Sequence, residues 1–141
     1  MVDSRSFWTR WRKFALDLQH TMRASGLYGQ AGRLYSADRV QEAVSLLQKA
    51  IALVEAAAPV GTPKDSFLIP HQLSVRMCSV FLLAQAAPRV GDQQLASASI
   101  RDGLAMWAEA KLSIPQLRAN EAFGSWEKWA RSYMAWLERQ R

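Results

Sequence analysis

The segment from Asp38 to Ala58, DRVQEAVSLLQKAIALVEAAA, constrains the chain more than any other. Val40, Ala43, Val44, Leu47, Ala50, Ile51, Val54 and Ala57 recur at steps of three and four, the period of one face of an α-helix. Asp38 stands where an N-cap would accept from the first-turn amides, and Gln41 stands three residues on, as in a capping box. Leu46 and Leu53 add a second stripe beside the first, and a helix apolar on two flanks packs against two neighbours. Glu42, Ser45, Gln48 and Lys49 are left for water. Such a helix belongs inside an array or bundle of helices.

The small residues of this region repeat. Ala31, Ala43 and Ala50 are spaced by twelve and then seven, and a shift of fifty-three residues meets Ala84, Ala96 and Gly103. The same shift pairs Leu27 with Val80, Tyr28 with Phe81, Leu47 with Ile100, Ile51 with Leu104, Val54 with Trp107 and Ala57 with Ala110. Small residues at these spacings resemble the close-approach points of the tetratricopeptide repeat, and AGRLYSADRVQEAVSLLQKAI looks like its turn and second helix. The resemblance spans Leu27 to Lys111. It departs from the family at Leu27 and Val80, where Trp is favoured, and at Leu34 and Ala87, where an aromatic is favoured. The closing Pro is missing, and the spacing exceeds the family's period of about 34 residues. The resemblance implies helical hairpins that bind other proteins.

The expected fold is therefore all-α, with five to six helices: two antiparallel hairpins stacked between N- and C-terminal capping helices. Half of the 141 residues are apolar, enough for one domain over 1–141. Within it we expect a basic amphipathic helix over 1–23, the hairpins over 27–111 and an aromatic helix over 115–141.

Phe7, Trp8, Trp11, Phe14, Ala15, Leu18 and Met22 form a wide apolar face on the first helix, among Arg5, Arg10, Arg12 and Lys13. Ser25-Gly26 is expected to interrupt it before a short helix from Leu27 to Tyr35. Pro59, Gly61, Pro63 and Pro70 mark a loop from Ala58 to Pro70, with Phe67, Leu68 and Ile69 as its apolar patch. A buried helix from His71 should stop at Ala87, since Pro88 disfavours helical geometry in the residue before it. Asp92 should cap a helix from Gln93 to about Lys111, in which Gly103 signals close backbone approach. Pro115 opens a short turn, and Gly124-Ser125 precedes a last helix from Trp126 to about Arg139. Trp126, Trp129, Tyr133 and Trp136 share one of its faces, and Glu127 pairs with Arg131.

The net charge is +6. Residues 1–35 hold six basic side chains against Asp3 and Asp17, so an anionic partner meets this arm first. The lone Cys78 excludes an internal disulfide and suits a reducing, cytoplasmic setting. The longest uncharged apolar run, Met77 to Ala87, falls short of the roughly 20 residues a membrane crossing needs.

No catalytic constellation emerges. His71 and Cys78 lie roughly 10 Å apart along a helix axis, too far for a nucleophile and its base. Asp17 and His20 make at most two metal ligands. Catalytic, cofactor and metal sites are all expected to be none. The expected function is a non-enzymatic adaptor or chaperone-like module that holds another protein, an acidic one or a second copy, through Trp8, Arg10, Trp11, Arg12, Lys13 and Phe14. The alternative is a nucleic-acid or anionic-membrane-surface module using the same arm, since single-strand binders interleave basic and aromatic residues. Either terminal aromatic face would serve to close the helical array. The N-terminal one is expected to stay open, with residues 1–22 dispensable for folding and 125–141 required.

Overall fold

The computed structural model describes residues 4–57 and 68–140, with side chains from residue 7 and again from residue 70. The described chain is all-α: α1 (Ser4–Ser36), α2 (Val40–Ala56), α3 (Leu68–Arg89), α4 (Gln93–Ser113), a 3-10 turn (Pro115–Ala119) and α5 (Glu121–Arg139). It divides into two compact units, residues 1–79 and 80–141, with the boundary inside α3. Of the loop expected over 58–70, residues 58–67 lie outside the described residues and 68–70 are instead the first turn of α3.

In the first unit α1 and α2 form an antiparallel hairpin. The predicted face of α2 is the buried one: Val40, Ala43, Val44, Leu47, Ala50, Val54 and Ala57 are buried and Ile51 half-buried, whereas Glu42, Ser45, Gln48 and Lys49 are exposed. Ala24 of α1, Ala50 and Val54 of α2 and Val75 of α3 join in one apolar cluster, flanked by Leu27 and Leu53. Leu53, from the second stripe of α2, thus packs where α1 and α3 meet it, and Leu46 is half-buried.

Asp38 does not cap α2. Its φ is +66°, and Arg39 is the cap residue, with no side-chain cap bond. Arg39 N–H donates to the Leu34 carbonyl and Asp38 N–H to that of Tyr35, which is a Schellman closure of α1 with Asp38 at its left-handed position. The side chain that would have capped α2 instead belongs to the residue that reverses the chain. Arg39 then pairs with Glu42 at 2.6 Å, in place of the expected reach of Gln41.

The expected break at Ser25-Gly26 is absent, and α1 runs unbroken for 33 residues. Gly26, Gly29 and Gly32 each cost about 1 kcal/mol relative to Ala. Burial of Thr21, Ala24 and Ala31 on the inward side of the same helix outweighs that local preference.

In the second unit the last part of α3 and α4 form another antiparallel hairpin. Pro88 does not end α3 at Ala87, because the helix continues to Arg89 and closes through Asp92 N–H to the Ala87 carbonyl and Gly91 N–H to that of Pro88. A proline in the last turn forfeits one bond, and the Schellman closure with Gly91 at φ +79° supplies others. At its other end α3 starts at Leu68 instead of His71. Pro70 is tolerated there because first-turn amides have no intrahelical partner. Asp92 caps α4 as expected, its side chain accepting from Leu95 N–H at 2.9 Å.

Helix α5 begins at Glu121, with Asn120 accepting from Phe123 N–H at 3.0 Å, so Gly124-Ser125 lies inside it. The core of this unit is aromatic. Trp126 stacks on Phe81 with ring centroids 3.7 Å apart, and its indole N–H donates to the Phe81 carbonyl at 3.1 Å. Phe123 meets Phe81 and Trp107 edge-on. A Cβ on Gly103 would sit 2.6 Å from the Trp126 ring. The close approach expected at Gly103 is therefore made by this ring and not by a backbone.

Candidate partner-binding site

Helix α1 has 33 residues and α2 has 17, so at 1.5 Å per residue they measure roughly 50 and 26 Å. Because the two run antiparallel from the turn at Ala37–Arg39, α2 reaches back only to about residue 20 of α1. The turns before that overhang it. Every described residue from Phe7 to Arg12 is exposed, with Phe7, Trp8 and Trp11 at 54%, 58% and 56%. These rings touch each other edge-on, at 5.7 Å for Phe7 with Trp8 and 6.5 Å for Trp8 with Trp11. Phe14 and Leu18 are half-buried, and Met22 is exposed again.

The six expected site residues divide. Trp8, Trp11, Arg10 and Arg12 are together and exposed on the overhang. Phe14 is half-buried. Lys13 turns inward, its ammonium 3.0 Å from the Asp17 carboxylate, which is almost wholly buried.

Behind Asp17 lies a polar tie whose function the sequence did not reveal. The Thr21 hydroxyl donates to the Asp17 carbonyl at 2.7 Å, and Gln72 of α3 donates to the Thr21 oxygen at 3.1 Å and to the Ala57 carbonyl at 2.7 Å. Gln72 thereby links all three helices of the first unit, satisfying a carbonyl at the end of α2. Only the spacing of Asp17 and Thr21 hinted at this, since Gln72 lies fifty-one residues away. Removing residues 1–22, the segment expected to be dispensable, would strip out Asp17 and Thr21 and with them these contacts, so a cut ending near Arg12 is the one expected to spare the fold.

The C-terminal aromatic ladder is graded. Trp126 is buried, Trp129 and Tyr133 are half-buried and Trp136 is 42% exposed. Glu127 bridges Lys111 at 3.3 Å and Arg131 at 3.4 Å. Burial works to raise its pKa, but the hydrogen bonds and charge of Lys111 and Arg131 prevail and hold it below the usual range.

Two open grooves adjoin these helices. One of about 620 Å³ runs over Tyr28, Gly29, Gly32, Arg33, Ser36 and Ala37 of α1. Another of about 410 Å³ is lined by Gln93, Gln94, Ser97, Arg101 and Gln140.

Cys78 is half-buried, and burial pushes its thiol up more than hydrogen bonds with Ser74 and Tyr28 pull it down. The thiolate fraction at neutral pH is correspondingly small. Cys78 should thus react with a maleimide more slowly than free cysteine at pH 7, and a faster rate would reveal an activated thiol.

No group of three or more His, Cys, Asp or Glu among the described residues is placed to hold a metal ion. No described helix is long and apolar enough to cross a membrane. No family model, curated protein or solved structure matches the chain, which leaves its own side chains to carry the functional argument.

Proposed function

We propose that this chain is a non-enzymatic helical module that holds another protein through the outward face of α1. The observation that carries the reading is the overhang: three large aromatic side chains, each more than half exposed, on helical turns that α2 does not reach. An isolated helix this short is marginal in water, and a contiguous aromatic patch is the usual mark of a docking surface. Trp and Arg, the residues that dominate binding hot spots, are the ones displayed.

The resemblance to helical-repeat adaptors supports the same reading. The turns of the two hairpins use one device at an interval of fifty-three residues, with Asp38 and Gly91 at the left-handed position and closing bonds to Leu34 and Ala87. A cytoplasmic setting, inferred from the lone thiol, belongs to this proposal.

The test is Trp8→Ala with Trp11→Ala in the full chain. Circular dichroism should change little, whereas association with the partner should weaken at least a hundredfold by calorimetry, since two hot-spot tryptophans are worth roughly 2 kcal/mol each or more. Undiminished binding would refute the proposal. Binding that falls steeply with added salt and survives loss of the tryptophans, but not of Arg10 and Arg12, would transfer the reading to a nucleic-acid or anionic membrane surface.

A further inference from the structure

Residues Phe7, Trp11, Phe14, Leu18, Met22, Ser25, Gly29, Gly32 and Ser36 follow one another at steps of three and four. Nine positions over eight turns match the roughly 3.6 residues per turn of a straight helix, so they form one line along the whole of α1. This line lies about a third of a turn round the helix from Asp17, Thr21, Ala24 and Ala31, the residues buried against the rest of the unit. Its first half is bulky and its second half is glycine and serine.

The glycines have no explanation within the hairpin. Among the described residues, a Cβ at Gly29 or Gly32 would meet nothing within 4 Å, in contrast to Gly103, where the Trp126 ring occupies the space. Helix-weakening residues facing an open groove hold room for something outside the chain. The order of sizes indicates what. Turned end for end, the line is its own complement: Phe7 meets Ser36, Trp11 meets Gly32, Phe14 meets Gly29, Leu18 meets Ser25, and the two Met22 side chains meet at the axis.

We infer that α1 pairs antiparallel with α1 of a second copy, the aromatic half of each seated over the glycine half of the other. This rests on the reading of the outward face of α1 as the binding face, and names the partner. Fully presented aromatics offer about 150–250 Å² each, so Phe7 and Trp11 at just over half exposure contribute roughly 100 Å² apiece. With Met22 and the glycine groove, two copies bury on the order of 1,000 Å², the threshold for a specific interface. The exposed Arg10, Arg12, Arg23 and Arg33 face like charges in such a pair. Exposed charges are screened and weigh less than desolvated aromatic area, and the pairing should therefore tighten as salt is added.

Sedimentation of the full chain tests this. The wild type should show a concentration-dependent dimer that strengthens with salt. Gly29→Leu with Gly32→Leu should weaken it at least tenfold while helicity stays level or rises, because the Cβ of each points into an open groove and leucine favours helix over glycine. Gln30→Leu, off the line on the same helix, should leave the dimer intact. In a Cys78→Ser background, Leu18→Cys mixed with Ser25→Cys should form a disulfide between copies, and neither should do so alone. A wild type that stays monomeric at high concentration, or a dimer that survives both leucines, overturns the pairing. The Trp8 and Trp11 variant would still decide, against a different partner, whether the outward face binds.

Discussion

Trp126→Ala should cost about 3–5 kcal/mol of stability, the range for removing a large buried aromatic. Trp126 is 4% exposed, lies flat on Phe81, fills the space over Gly103 and donates its indole N–H to the Phe81 carbonyl. Alanine leaves all three places empty, and a glycine cannot grow to fill the void. Trp126→Phe should restore part of the loss, since a ring again covers Gly103, but not the hydrogen bond. Urea titration followed by circular dichroism measures both. A loss below about 1 kcal/mol for the alanine variant would mean that α5 does not organise the second unit as described.

Lys13→Met should destabilise the first unit by about 2 kcal/mol, although lysine lies on the proposed binding arm. Its side chain is 41% exposed and that of Asp17 only 4%. Methionine keeps the stem but leaves a buried carboxylate without its cation, which costs several kcal/mol in a dry interior and less here because water reaches the lysine end. Asp17→Asn should cost about 1 kcal/mol, and the double variant less than the two summed, because neither charge is then stranded. Arg10→Ala and Arg12→Ala, by contrast, should stay within about 0.5 kcal/mol of wild type. A neutral Lys13→Met would return Lys13 to the set available to a partner.

The contrast between Lys13 and its neighbours shows why composition alone misled at this site. Arg10, Arg12 and Lys13 read alike in sequence as a basic rim. Asp17 one turn further on turns Lys13 inward, and Gln72 holds the same turn through Thr21. A contact between residues fifty-one positions apart leaves no periodic trace. The outward glycines are a similar case. Ser25-Gly26 reads as a break by local propensity alone, and the burial of Thr21, Ala24 and Ala31 on the inward side of the helix overrides it.

The sequence by itself determined the all-α class, the buried face of α2, the cap at Asp92 and the turn at Pro115. Each of these is a short-range matter, set by the helical period or by a side chain reaching its own first turn. Only the tertiary structure decided that Asp38 closes one helix instead of opening the next, that Pro88 sits inside α3, and that α1 outruns α2. Those outcomes turn on which helix end competes for the same few residues and on how far a neighbour extends. Hydrogen bonds such as that of Arg39 to Leu34 and relative helix lengths settle them, and neither is encoded in any one stretch of residues.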